Sequence, residues 1–100
     1  MQFRYEPALE QYMRQKGKKT IVVEVISSNS SDFEVTELHV HFTNDRQTAF
    51  FKNTKHFRAV KTDMGEVLLP PYRLEYADTV TFGIKSFLGI RYVTQEGIRL

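Results

Sequence analysis

The stretch DTVTFGIK, residues 78–85, alternates Val80, Phe82 and Ile84 with Thr79, Thr81 and Gly83. Successive side chains of a strand point to opposite faces. This period of two therefore predicts a half-buried strand and argues against a helix, whose apolar positions recur every three or four residues. Residues 86–89, SFLG, supply a turn, and residues 90–94, IRYVT, return as the second strand of a hairpin.

The rest of the chain supplies more strands and one helix. In residues 20–26, TIVVEVI, the side chains of Ile21, Val23 and Val25 share one face, with Val22 and Glu24 on the other. The polar run SSNSSDF, residues 27–33, interrupts this pattern and reads as a connection whose Ser and Asn side chains bond their own backbone. It can also be read as an anion-binding nest, but it has no Gly, so positive φ would fall to Asn29 or Asp32. Residues 33–42, FEVTELHVHF, form a second strand whose apolar phase slips between Val35 and Leu38, which predicts a β-bulge near Thr36 or Glu37.

Residues 43–47, TNDRQ, read as a turn, followed by two short β-like runs at 48–51 and 57–61. TDMGE, residues 62–66, is another turn, with Gly65 free to take positive φ. Residues 67–69 make a short strand ended by Pro70 and Pro71, neither of which can donate to a ladder. Residues 72–76 suit either one helical turn or an extended segment.

The helix lies at residues 6–16. Pro7 suits its first turn, Leu9, Tyr12 and Met13 with Ala8 form an apolar stripe, and Gly17 is a stop signal. No linker, repeat or low-complexity tract divides the chain. The expected class is α+β in a single domain, residues 1–100: a short N-terminal helix packed on a mostly antiparallel, strongly twisted β-sheet.

Composition excludes several function classes. There is no cysteine, which removes disulfides, thiolate metal sites and cysteine nucleophiles together. The formal charge of +2 is too small a bias to mark a polyanion binder. MQFRYEPALEQ contains no apolar stretch of signal-peptide type, and no apolar run approaches the roughly 20 residues a membrane helix needs. The expected compartment is the cytoplasm, without a membrane association. No G-x-S-x-G elbow, P-loop or G-x-G-x-x-G is present, so no catalytic residue is assigned and no cofactor is expected.

The order of elements, and above all LLPPYRLEYADTVTFGIKSFLGIRYV at 68–93, resembles the HesB/IscA-like A-type iron–sulfur biogenesis family. In that family a strand ends near a Pro, and a segment of leucine, aromatic or acidic residues leads through an Asp into a strand and a hairpin. The resemblance implies a HesB-like β architecture. The family's chemistry depends on three cysteines, one after the first strand and a pair in a C-terminal tail. Here SSNSSDF stands at the first place without a cysteine, and Leu100 is reached where the tail would begin. The resemblance therefore implies a non-enzymatic scaffold or binding protein without cluster ligands. Its expected partner is another protein, with homodimerisation through a sheet edge as a further option.

Two constellations offer alternatives. Strand alternation places Glu37, His39 and His41 on one face, an E-x-H-x-H pattern that suits a divalent metal, with His56 as a further ligand. The bland reading is a solvent-facing strand surface opposite Leu38, Val40 and Phe42. The second is residues 49–61, where Lys52, Lys55, Arg58 and Lys61 interleave with Phe50, Phe51 and Phe57. Cations that neutralise phosphates beside aromatics that stack on bases make a single-strand nucleic-acid surface. The competing reading puts the Phe rings in the core with the cations snorkelling out, and it is the one favoured here.

Overall fold

The computed structural model describes residues 1–29 and 34–100. The class is α+β, with seven strands and two helices among these residues, in the order β1 (Gln2–Tyr5), α1 (Pro7–Lys16), β2 (Thr20–Asn29), β3 (Glu34–Phe42), α2 (Asp45–Asn53), β4 (Arg58–Thr62), β5 (Gly65–Leu69), β6 (Glu75–Phe87) and β7 (Ile90–Arg99). The strands make two sheets among the described residues. One runs β1-β6-β7 and the other β3-β2-β5-β4. The pairs β2–β3, β4–β5 and β6–β7 are antiparallel, whereas β1–β6 and β2–β5 are parallel.

The N-terminal helix forms as its residues dictate. Glu6 stays extended, Pro7 occupies the first turn, and Gly17 takes the left-handed conformation at φ 66° while its N–H closes on the Met13 carbonyl. Leu9 and Met13 are buried between the sheets. Around them lie Ile21, Val23, Val67 and Leu69 from the four-stranded sheet and Val80, Phe82, Val93 and Ile98 from the three-stranded one.

The four-stranded sheet is apolar on its other face too. There Val22 and Leu68 meet Phe51 of α2 and Phe57, forming a second, smaller core. Burial on both faces explains why TIVV and VLL read as continuous apolar runs rather than as alternating ones. It also explains the tight approach of β5 to the start of β2. Gly65 has φ 147°, and a Cβ there would lie 1.9 Å from the Lys19 carbonyl oxygen.

Four expectations from the sequence need correction, the first being the turn at residues 43–47, of which Asp45 to Gln47 are the first turn of α2. Residues 48–51 are not a strand but the middle of α2. Asn44 caps this helix: its side chain accepts from the Gln47 N–H, and Gln47 accepts in return from the Asn44 N–H. β3 carries no bulge near Thr36 or Glu37, because its register with β2 runs without interruption from Ile21 opposite Phe42 to Asn29 opposite Glu34. The irregularity lies instead in the β6–β7 ladder, between Tyr76 and Thr81. Of SSNSSDF, the first three residues continue β2, and residues 30–33 lie outside the described residues.

Candidate functional site

Beyond the end of α2, the outer face of the four-stranded sheet turns polar. Glu24 follows Val22 on β2, and Glu37, His39 and His41 line the same face of β3. The predicted E-x-H-x-H alignment is therefore observed, but the groups pair off rather than converge. His39 Nε2 lies 3.0 Å from Glu37 Oε2, along its own strand. His41 Nε2 lies 2.5 Å from Glu24 Oε2, across strands, and its Nδ1 is 3.1 Å from the Phe42 carbonyl oxygen. The His41 ring also rests near the Phe51 ring, 6.5 Å between centroids, at the rim of the second core.

His56 stands apart from this face, exposed in the connection between α2 and β4 at φ 59°. Among the described residues no three His, Asp or Glu side chains converge in the way a metal ion requires. Sequence reasoning missed Glu24 as the partner of His41. Only the β2–β3 register, which sets Glu24 opposite His39, places it there.

The basic set splits in a similar way. Lys52 Nζ is 2.9 Å from Glu66 Oε1, a half-buried ion pair, and Lys55 Nζ lies 5.9 Å over the Phe50 ring. Arg58 stands opposite Leu69 and Lys61 opposite Glu66, so the two leave opposite faces of β4. Phe51 and Phe57 are buried, and only Phe50, 48% exposed, is available to stack on anything. The four cations thus form no single track along one surface.

A surface that the sequence reading passed over lies at the β6–β7 turn. Every residue from 85 to 92 is exposed on both sides of the ladder; Arg91 still reaches back to Tyr12 of α1, so the part that stands out is the tip, residues 87–90. Phe87 is paired with Ile90 and closes a two-residue turn of Leu88 and Gly89. Phe87 is 67% exposed, Leu88 86% and Ile90 70%. Leu88 has φ 51° and Gly89 φ 80°, the left-handed pair that this kind of tight turn demands. Asn is the usual residue at the first of these positions, and a branched apolar side chain is disfavoured there. Phe87 and Ile90 face each other across the ladder but join neither core, and Leu88 holds a conformation it disfavours.

No protein-family model matches the sequence, and no curated protein matches it. Among solved structures the chain is similar to the crystal structure of Escherichia coli SufA, involved in biosynthesis of iron–sulfur clusters. The identity is 11% and the TM-score 0.45, over 96% of this chain and 80% of that one. A likeness of this size concerns the outline of the fold alone.

Proposed function

We propose that this chain is a non-enzymatic binding protein that docks through the exposed tip of its β6–β7 hairpin. The single observation that carries the reading is the apolar tip itself, with Leu88 at positive φ and Phe87 and Ile90 standing clear of both cores. Contiguous apolar surface of this kind marks an interaction site. Local backbone strain at an exposed turn points the same way, since it persists where function requires the side chain. The absence of cysteine is consistent with a scaffold that holds no cluster through thiolates. In this reading the Glu24–His41 and Glu37–His39 pairs are surface polar contacts of β2 and β3.

Thermal or denaturant unfolding of tip variants tests the reading. Leu88→Asn relieves the backbone and should stabilise the fold by about 1 kcal/mol. Phe87→Ser and Ile90→Thr should each cost no more than about 1 kcal/mol, the worth of one cross-strand pair. A loss of about 3 kcal/mol or more in any of the three would mean that the tip is part of a core, and the reading would fall.

A further inference from the structure

We propose that the hairpin tip inserts into the surface of an anionic phospholipid bilayer. The proposal rests on the reading that this tip is the docking surface, and it assigns the partner.

Shape is the first argument. The tip is convex: Leu88 and Gly89 form its end, and residues 85–92 are exposed on both sides. A convex tip carrying three large apolar side chains is too small for a stable protein dimer, which takes roughly 800 Å² from each partner. It is well suited to a soft apolar medium that closes around it.

Charge is the second. No Asp or Glu occurs between Asp78 and Glu96, so the whole distal hairpin is free of carboxylates. Its two ionised groups are Lys85 and Arg91, set back by two residues and one residue from Phe87 and Ile90. Strand alternation and register put Lys85, Phe87, Ile90 and Tyr92 on one face of the ribbon. With the tip immersed, Lys85 reaches the phosphate level and its methylenes follow the apolar surface. Arg91 leaves from the other face, its guanidinium held 5.3 Å over the Tyr12 ring of α1, one residue behind the tip. Tyr92, 45% exposed, adds a ring with a polar end at the height where interfacial aromatics sit. Apolar tip, cationic collar and interfacial tyrosine follow one another in the order a membrane surface presents their complements.

This is contact with a surface and not a span. No helix among the described residues is long and apolar enough to cross a bilayer. Three apolar side chains and two cations give weak, reversible attachment, in which each cation near an anionic surface contributes about fivefold to affinity.

The chain has no native cysteine, so a single Leu88→Cys substitution places an environment-sensitive fluorophore at the tip alone. Tyr72→Cys, before the opposite end of β6, is the control. The probes are vesicles of phosphatidylcholine alone and of phosphatidylcholine with phosphatidylglycerol. The label at 88 should shift to the blue on the anionic vesicles and the label at 72 should not. In co-sedimentation, Leu88→Asn and Phe87→Ser should each weaken binding about tenfold or more, and Lys85→Ala about fivefold. Binding that survives both apolar substitutions would come from lysines elsewhere and would overturn the proposal. No binding to anionic vesicles would overturn it as well. If the tip variants nevertheless keep the stabilities expected above, the docking reading stands and only the bilayer is ruled out as its occupant.

Discussion

The hydroxyls of Tyr5 and Thr62 lie 2.8 Å apart and tie β1 of the three-stranded sheet to β4 of the four-stranded one. The bond spans the seam between the sheets at the edge of the main core. Burial raises the Tyr5 phenol above its usual range, the Thr62 bond offsets this in part, and Asp63 adds to the rise. Burial also raises Tyr76, against a lowering from Arg58. In both, the folded state holds the phenolic proton more tightly than the unfolded chain does. Their contribution is complete below the ordinary value of 10.0 and is lost as pH climbs through the raised one. Stability should therefore fall above about pH 10. Denaturant midpoints across that range should show a shallower fall for Tyr5→Phe, which loses about 1 kcal/mol at neutral pH. An unchanged alkaline limb in Tyr5→Phe would remove Tyr5 from the account.

Gly65 and Gly89 both have positive φ but differ in what surrounds them. A Cβ at Gly65 meets the Lys19 carbonyl, beside the bond that Glu66 N–H donates to the same oxygen at 2.9 Å. A Cβ at Gly89 meets nothing within 4 Å. Gly89→Ala should cost about 1 kcal/mol, the backbone penalty alone. Gly65→Ala should cost at least about 3 kcal/mol, because backbone must move. Equal losses in urea unfolding would show that the β2–β5 approach is more pliable than its geometry implies.

Asn44 and Gln47 satisfy two N–H groups at the start of α2 by reciprocal bonds of 2.8 and 3.1 Å. Either Asn44→Ala or Gln47→Ala leaves half the arrangement without a partner. We expect about 1 kcal/mol from Asn44→Ala, and a double variant less destabilised than the sum of the two. Strict additivity in the cycle would mean that the two bonds act independently.

The same helix shows where the sequence was hard to read. Residues 48–51, TAFF, combine a β-branched residue with two aromatics and suit a strand by propensity. The contrary signal was the spacing Asn44-x-x-Gln47, which sits among residues equally at home in a turn. Strands with one clear apolar face were legible, because period two needs no knowledge of partners. β1 was not, since QFRY becomes a strand only by parallel pairing with Thr79 to Phe82, far along the chain. The division into two sheets was hidden for the same reason. In the candidate sites, the common face of Glu37, His39 and His41 followed from alternation, whereas Glu24 needed the register. Phe87 read as part of a turn over residues 86–89 and Ile90 as an ordinary strand residue, whereas Phe87 ends β6 opposite Ile90; sequence does not tell where a hairpin outruns its core.

His39 and His41 are each engaged by a different carboxylate. A divalent ion joining their Nε2 atoms would have to displace both contacts. We expect Zn²⁺ titration calorimetry to give the same heat for wild type and His39→Ala. A marked loss of heat in His39→Ala would restore a metal role to the β3 face.

Phe50 and Phe51 are adjacent in sequence and opposite in role, the first 48% exposed and the second 8%. Phe51 packs on Phe57, 4.9 Å between ring centroids, and over Val22 and Leu68. Phe51→Ala opens the smaller core and should cost about 3–5 kcal/mol. Phe50→Ala should cost under about 1 kcal/mol, since it loses an exposed edge contact with Phe51 and the cation of Lys55. The pair also tests a nucleic-acid surface at residues 49–61. With Phe51 and Phe57 buried, Phe50 is the one Phe of that segment left exposed to stack on a base. Stacking is worth about 1–3 kcal/mol per base. Fluorescence anisotropy with a labelled single-stranded oligonucleotide should show no dependence on Phe50. A loss of affinity of about tenfold in Phe50→Ala, with stability intact, would establish Phe50 as a stacking platform and the segment as a binding surface.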